Sequence, residues 1–238
     1  MDNHRVQPIV EVLPLGRGST STADLLHALF SSIAYIAEYG EPMAEGHLHR
    51  VAVYTRFLAQ DVLGWPEPEA SQLASAALLH DVGKVAVPTK ILVKPSTLTP
   101  QERLVMQEHV TCGYDLLQRV EANFTHVGRD WVLFQWAKEV ARSHHENWDG
   151  SGYPDGLRGE DIPVSARIVK LADVIDALLS ARPYKRPWPW RQIRHELLRL
   201  AGVEFEPRLV GRLLQKEREF LEHVNAVQGA ELGTVDRP

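Results

Sequence analysis

Two adjacent histidines, His144-His145, open a stretch that continues Glu146-Asn147-Trp148-Asp149-Gly150-Ser151-Gly152-Tyr153-Pro154. Upstream lies His80-Asp81, followed by Val82-Gly83-Lys84. Imidazole and carboxylate are side chains that hold first-row divalent cations, and a nearby lysine adds fixed positive charge. A pair of such cations neutralises phosphate oxygens, activates water and orients in-line displacement. The chemistry open to this set is therefore metal-assisted hydrolysis of a phosphate ester.

Helices must bring these groups together. From Asp24 onward Leu25, Leu29, Ile33 and Ile36 recur at helical spacing. A second helix is expected over about 45–63, with Val51, Leu58 and Val62 inward, and a third over about 69–82. In the third, Leu73, Ala76, Ala77 and His80 fall at i, i+3, i+4 and i+7, which puts His80 on the buried stripe. Thr99-Pro100-Gln101-Glu102 reads as a capping box with proline at the first helical position. Met106, His109, Val110, Gly113 and Leu117 then share a face. A helix over about 130–146 lines Leu133, Trp136, Ala137, Val140 and His144 on one side.

Pro163 can open the next helix, with Ile168, Leu171 and Ile175 inward and Asp173 and Asp176 neighbours three residues apart. Two terminal helices, about 189–201 and 207–224, complete an all-α pattern. Residues 1–22 read as a lead-in, in which Ile9–Leu13 has the makings of a short strand. Residues 23–225 form the main domain and 226–238 a flexible tail.

A single histidine on an apolar face is ordinarily a satisfied core residue. Here the pattern recurs on three helices, and a shared metal centre would satisfy buried imidazoles and a buried carboxylate together. Adjacent residues on a helix diverge by about 100°, so His144 and His145 could address two ions from one helix. Asp81 could reach past His80 and bridge.

The bulk properties exclude other classes. The 238 residues carry 44% apolar and 24% charged side chains and a net charge of −5. A concentrated positive face, needed for long nucleic acid, is not indicated. Cys112 is the only cysteine, so no intramolecular disulfide forms, which fits a reducing cytoplasm. No apolar run approaches the roughly 18 residues of a membrane span.

The His80-Asp81 region resembles the HD superfamily of metal-dependent phosphohydrolases, and the two regions together resemble the HD-GYP family. His47-Leu48-His49-Arg50-Val51 is similar to the family's first-histidine motif, His80-Asp81 with Lys84 to the eponymous pair and its lysine, and His109 to the histidine of the next helix. His144-His145, Trp148-Asp149-Gly150 and Gly152-Tyr153-Pro154 are similar to its double histidine and loop, and Asp173 to its last carboxylate. The resemblance covers about residues 45–210.

It implies a helical HD-domain bundle with a GYP loop and C-terminal helices. By resemblance, one ion takes His47, His80, Asp81 and Asp173, and the second takes Asp81, His109, His144 and His145. The implied ions are iron or manganese, with zinc or nickel able to occupy the same ligands. Trimetal members carry a glutamate where this chain has Met43, and Glu45 is two residues off, so two metals are expected. Segment 120–132 is longer than the family's usual spacing.

The activity implied is hydrolysis of cyclic di-GMP to pGpG or GMP. Asp81 and Lys84 would act at the reacting phosphate. Lys84, Arg182 and Lys185 would contact phosphate and Tyr153 the base, while Asp176 would orient a neighbouring side chain. Without the resemblance, Lys84, Arg182 and Lys185 read as ordinary surface cations, Tyr153 as loop packing and Trp148 as structural. Gly150, Gly152 and Gly156 permit the loop's turns.

Two other readings stay open. One is an HD phosphohydrolase for another nucleotide, such as cyclic GMP-AMP. The other is a non-catalytic module that binds cyclic di-GMP or docks a diguanylate cyclase through the Gly-Tyr-Pro loop. Leu213, Leu214, Phe220 and Leu221 could also support a homodimer.

Overall fold

The computed structural model describes residues 22–37, 46–123, 131–180 and 186–235. Its α-helices are α1 (Thr22–Ala37), α2 (His47–Phe57), α3 (Glu67–Ala77), α4 (Thr89–Leu92), α5 (Pro100–Gln107) and α6 (His109–Asn123). They continue as α7 (Trp131–Ser143), α8 (Val164–Leu179), α9 (Trp190–Leu200), α10 (Pro207–Gln215) and α11 (Glu217–Val235). No strand occurs among the described residues; an isolated bridge pairs Ala201 with Phe205. The all-α expectation holds.

Local signals explain several boundaries. The Thr99 hydroxyl accepts from Glu102 N at 3.2 Å, and Glu102 Oε2 accepts from Thr99 N at 2.8 Å, so the capping box starts α5. Pro163 stands immediately before α8, as its fixed φ allows. The second helix widens into a π-turn over Leu58–Val62.

Two buried apolar clusters hold the bundle. In the larger, Tyr54 and Phe57 of α2 each lie 5.3 Å from the Phe220 ring of α11, with Leu73, Ile168, Leu171, Ile193, Leu197 and Leu209 around them. The smaller joins Phe30 and Ala34 of α1 to Leu78, Leu79, Val82, Leu117, Leu133 and Ala137. The chemistry-bearing residues come from segments that feed both clusters.

Three expectations need correction. The stripe Leu25, Leu29, Ile33 and Ile36 faces outward, with Leu25 62% and Ile36 70% exposed. α1 buries its other flank instead, because Phe30 meets Phe134 edge-to-face at 5.8 Å and small Ala34 and Ala37 allow close approach. The third helix ends at Ala77, so His80 and Asp81 lie in the turn beyond it. α11 runs to Val235, past the boundary expected at Ala226, with Val224 and Val227 extending its buried stripe. Of the four residues considered for a homodimer, Leu213 and Phe220 are buried in the core, while Leu214 and Leu221 are partly exposed.

The strand expected at Ile9–Leu13, together with Met43, Glu45, Arg182, Lys185 and residues 124–130, lies outside the described residues.

Candidate metal centre

Each imidazole enters from the end of a helix. His47 opens α2 and His109 opens α6. His80 and Asp81 follow α3 and precede a 3-10 turn, Val82–Ala86. His144 and His145 follow α7 directly. Asp173 and Asp176 project from α8.

The 3-10 turn lies against α6 with no room for a side chain. A Cβ on Gly83 would stand 1.9 Å from His109 O and 2.4 Å from Gly113 N. The glycine of His-Asp-x-Gly-Lys is therefore there for close backbone approach. It brings the His80-Asp81 turn beside His109.

The ring orientations are set by acceptors behind them. His80 Nδ1 lies 2.9 Å from Ala77 O, His109 Nδ1 2.7 Å from Met106 O and His144 Nδ1 2.9 Å from Val140 O. A carbonyl only accepts, so each Nδ1 carries the proton and each Nε2 keeps a lone pair. His47 Nδ1 donates in the same way to Asp176 Oδ2 at 2.8 Å.

The Nε2 atoms converge on carboxylates. His109 and His144 Nε2 lie 3.1 and 3.6 Å from Asp81 Oδ1. His80 Nε2 lies 3.3 Å from Asp81 Oδ2, and His47 Nε2 lies 3.7 Å from Asp173 Oδ1. One donor from each of Asp81, His109, His144 and His145 falls within 4.8 Å of the others, as does one from each of His47, His80 and Asp173. Asp81 faces both groups.

Asp81 Oδ1, His109 Nε2 and His144 Nε2 are sealed from solvent and make no hydrogen bond. Lone pair faces lone pair, which is costly in a protein interior unless a cation lies between. The donor set thus fits divalent metal, with nitrogen and oxygen ligands in the proportions that suit first-row ions.

Protonation states agree. Burial pushes His144 and His145 below the usual imidazole range, keeping them neutral. Burial pushes the Asp81 carboxyl up, but Lys84, whose Nζ lies 2.8 Å from Oδ2, and the surrounding imidazoles outweigh it and hold it well below the usual range.

The loop after His145 is tied down by a residue whose role was not legible in the motif. Glu146 is buried; its Oε1 accepts from Asp155 N at 2.7 Å and its Oε2 from Leu157 N at 3.1 Å. Gly152 presses on the Glu146–Asn147 backbone, where a Cβ would stand 2.3 Å from Asn147 N. Gly150 and Gly156 take φ of 84° and 65°, while Gly152 serves close packing instead. Tyr153 stacks on His145, centroids 4.8 Å apart and planes at 24°. Trp148 is held structurally: its N donates to Glu204 O at 3.2 Å, and the Arg167 guanidinium lies 5.7 Å from its ring centre.

All seven residues expected to bind metal thus fall in the two groups. His144 and His145 share one group because both lie beyond the helix, which differs from the reading that helical divergence would send them to separate ions. Arg50, named only as a motif member, pairs with Asp176 at 2.6 Å and so buttresses His47 from behind.

The model of the HD domain matches residues 32–209. The chain belongs to the HD-domain family, in its HD-GYP branch. This HD domain is 49% identical over 175 residues to the "3'3'-cGAMP-specific phosphodiesterase 2" of Vibrio cholerae serotype O1, covering 74% of this chain and 32% of that protein. It is 36% identical over 201 residues to the "Cyclic di-GMP phosphodiesterase" of Thermotoga maritima, covering 84% of this chain and 52% of that protein. The chain therefore spans a third to a half of the length of these relatives.

Among solved structures, a cyclic GMP-AMP-specific phosphodiesterase of V. cholerae superposes with a TM-score of 0.60 at 20% identity. That match covers 88% of this HD domain and 52% of the other chain, and it establishes the shared fold. No described helix is long and apolar enough to cross a membrane.

Proposed function

We propose that the chain is a metal-dependent phosphodiesterase that opens cyclic di-GMP to pGpG, and on to GMP. The observation that carries this reading is the convergence of His109 Nε2 and His144 Nε2 on Asp81 Oδ1 without a hydrogen bond among them, beside the Tyr153 loop. His47, His80, Asp81 and Asp173 would hold one divalent ion, and Asp81, His109, His144 and His145 the second, with Asp81 as the bridge. Iron or manganese suits these ligands best, and zinc or nickel can occupy them.

Two such ions supply Lewis acidity for phosphate and water when bound. The chain's own groups do the rest. Backbone carbonyls and Asp176 fix the imidazole tautomers, so that the Nε2 lone pairs need no reorganisation. Lys84 places a positive charge at the bridging carboxylate, where charge builds on the phosphoryl oxygens during displacement. Burial pushes the Tyr153 phenol up, so it stays protonated at neutral pH and can donate to the nucleotide. Arg182 and Lys185, in the Arg-Pro-Tyr-Lys segment, would contact the phosphates.

A second reading, cyclic GMP-AMP as substrate, is favoured by the 49% identity to a relative named for that specificity. Chromatography of both cyclic dinucleotides after incubation with Mn(II)- or anaerobically Fe(II)-loaded protein tests the two. Faster loss of cyclic di-GMP supports the first reading, and faster loss of cyclic GMP-AMP the second. Binding without turnover of either would make the chain a sensing or cyclase-docking module.

A further inference from the structure

Arg142 lies in the last turn of α7, two residues before His144. Its Nε donates to Asp155 Oδ2 at 2.7 Å and its Nη2 to Asp155 Oδ1 at 2.8 Å. The two planar groups meet as a bidentate fork, an arrangement that fixes orientation as well as distance. Tyr114 of α6 backs the guanidinium, which lies 5.2 Å from its ring centre. The pair therefore ties the helices that deliver His109 and His144 to the Gly-Tyr-Pro loop.

A cation in the last turn of a helix is favoured by the helix dipole alone, but that needs no partner from a loop. Nor does the pair contribute much to the fold: the two side chains are 33% and 35% exposed, and exposed ion pairs add little to stability. What the pair fixes is the backbone just past Tyr153. Asp155 is held twice, through its carboxylate by Arg142 and through its N, which donates to Glu146 Oε1 at 2.7 Å. Only Pro154 separates it from Tyr153, and the proline ring fixes one of the torsions between them. The hold of Tyr153 itself is weaker. Its N donates to His145 O at a long 3.4 Å, and its ring stacks on His145 with centroids 4.8 Å apart.

We propose that Arg142 is a positioning residue for substrate recognition: by gripping Asp155 it keeps Tyr153 stacked on His145, in the place from which the phenol meets a base of the cyclic dinucleotide. This rests on the cyclic dinucleotide reading above. Arg142 belongs to neither ligand group and acts through the loop. Opening the fork leaves the ligand groups as they are and lowers the fraction of molecules with Tyr153 in place. The apparent dissociation constant of the substrate rises by the same factor.

The test compares Mn(II)-loaded wild type, Arg142→Gln, Arg142→Lys, Asp155→Asn, Tyr153→Ala and the double variant Arg142→Gln with Tyr153→Ala. The substrates are the cyclic dinucleotide that wild type cleaves and bis(p-nitrophenyl) phosphate, which has no nucleobase. In Arg142→Gln, KM for the dinucleotide should rise about fivefold relative to that for the small ester, with kcat little changed. Asp155→Asn opens the same fork from the loop side and should match it, and Arg142→Lys should recover part of the loss. In the Tyr153→Ala background Arg142→Gln should cost nothing more. In metal-free protein the Tyr153 amide should exchange with deuterium faster in Arg142→Gln than in wild type. Unchanged KM in both Arg142→Gln and Asp155→Asn, an equal loss on both substrates, or the same cost persisting without Tyr153 overturns the inference. So does unchanged exchange at the Tyr153 amide. Wild type that cleaves the small ester but neither cyclic dinucleotide defeats the underlying reading, and the exchange result then still decides whether Arg142 holds the loop, which separates the two failures.

Discussion

Asp176 accepts a hydrogen bond from His47 Nδ1 at 2.8 Å and thereby turns the other nitrogen of that ring toward Asp173. Its second oxygen takes Arg50 Nε at 2.6 Å. Burial raises the Asp176 carboxyl, but His47 and Arg50 outweigh it and hold the group ionised below the usual range. An acid that touches no ion of its own thus sets the geometry of the ligand group built from His47, His80 and Asp173.

Replacing that acid should loosen one ion selectively. Asp176→Ala is expected to weaken metal binding at the His47 group by about 10- to 100-fold, as loss of a partner behind a ligand histidine does. Dialysed variant should then hold one ion per chain where wild type is expected to hold two. Equal metal content in variant and wild type would contradict the role given to Asp176.

Gly83→Ala tests the close approach of the 3-10 turn to α6. The new methyl would meet backbone atoms of His109 and Gly113, neither of which can rotate away. Destabilisation of about 3 kcal/mol is expected from overpacking of this kind. Urea midpoints of the metal-free proteins measure it, and coincident midpoints would show that the turn shifts freely.

Glu146→Gln should release the loop. One amide oxygen can still accept a loop N–H, but the charge-assisted pair with Asp155 N and Leu157 N is lost, at about 1–3 kcal/mol. Hydrogen exchange at those two amides should speed up while exchange in α7 stays as it was. Unchanged exchange at both would mean that other contacts hold the loop.

Acid should weaken the metal-free fold in two stages. His144 and His145 are depressed below the ordinary imidazole value of 6.5, so below it the unfolded chain binds more protons and stability falls with pH. Asp81 and Asp176 are depressed below the ordinary carboxyl value of 3.8, so their contribution is full above it and is lost as pH falls through the lower folded values. Thermal midpoints in chelator should therefore drop below 6.5 and again below 3.8. A midpoint that stays level on acidification through 6.5 would contradict the buried neutral imidazoles.

The helical class and the seven ligand candidates were legible because apolar spacing and histidines coincide. His80, His109 and His144 each end or begin an apolar stripe, and the motif orders the rest. The α1 stripe was not legible: two overlapping apolar faces compete, and only packing of Phe30 on Phe134 decides between them. The role of Glu146 was hidden because its partners are backbone amides nine and eleven residues away, which leave no side-chain signature.

A two-ion centre bridged by Asp81 underlies the proposed activity. The most direct measurement counts metal per chain in wild type and Asp81→Ala after anaerobic loading with Fe(II) or Mn(II), with cyclic di-GMP cleavage followed on the same samples. Two ions and conversion to pGpG or GMP are expected for wild type, with neither retained by the variant, because cations left facing each other without the bridging carboxylate repel. Full metal and wild-type cleavage in Asp81→Ala would contradict the account.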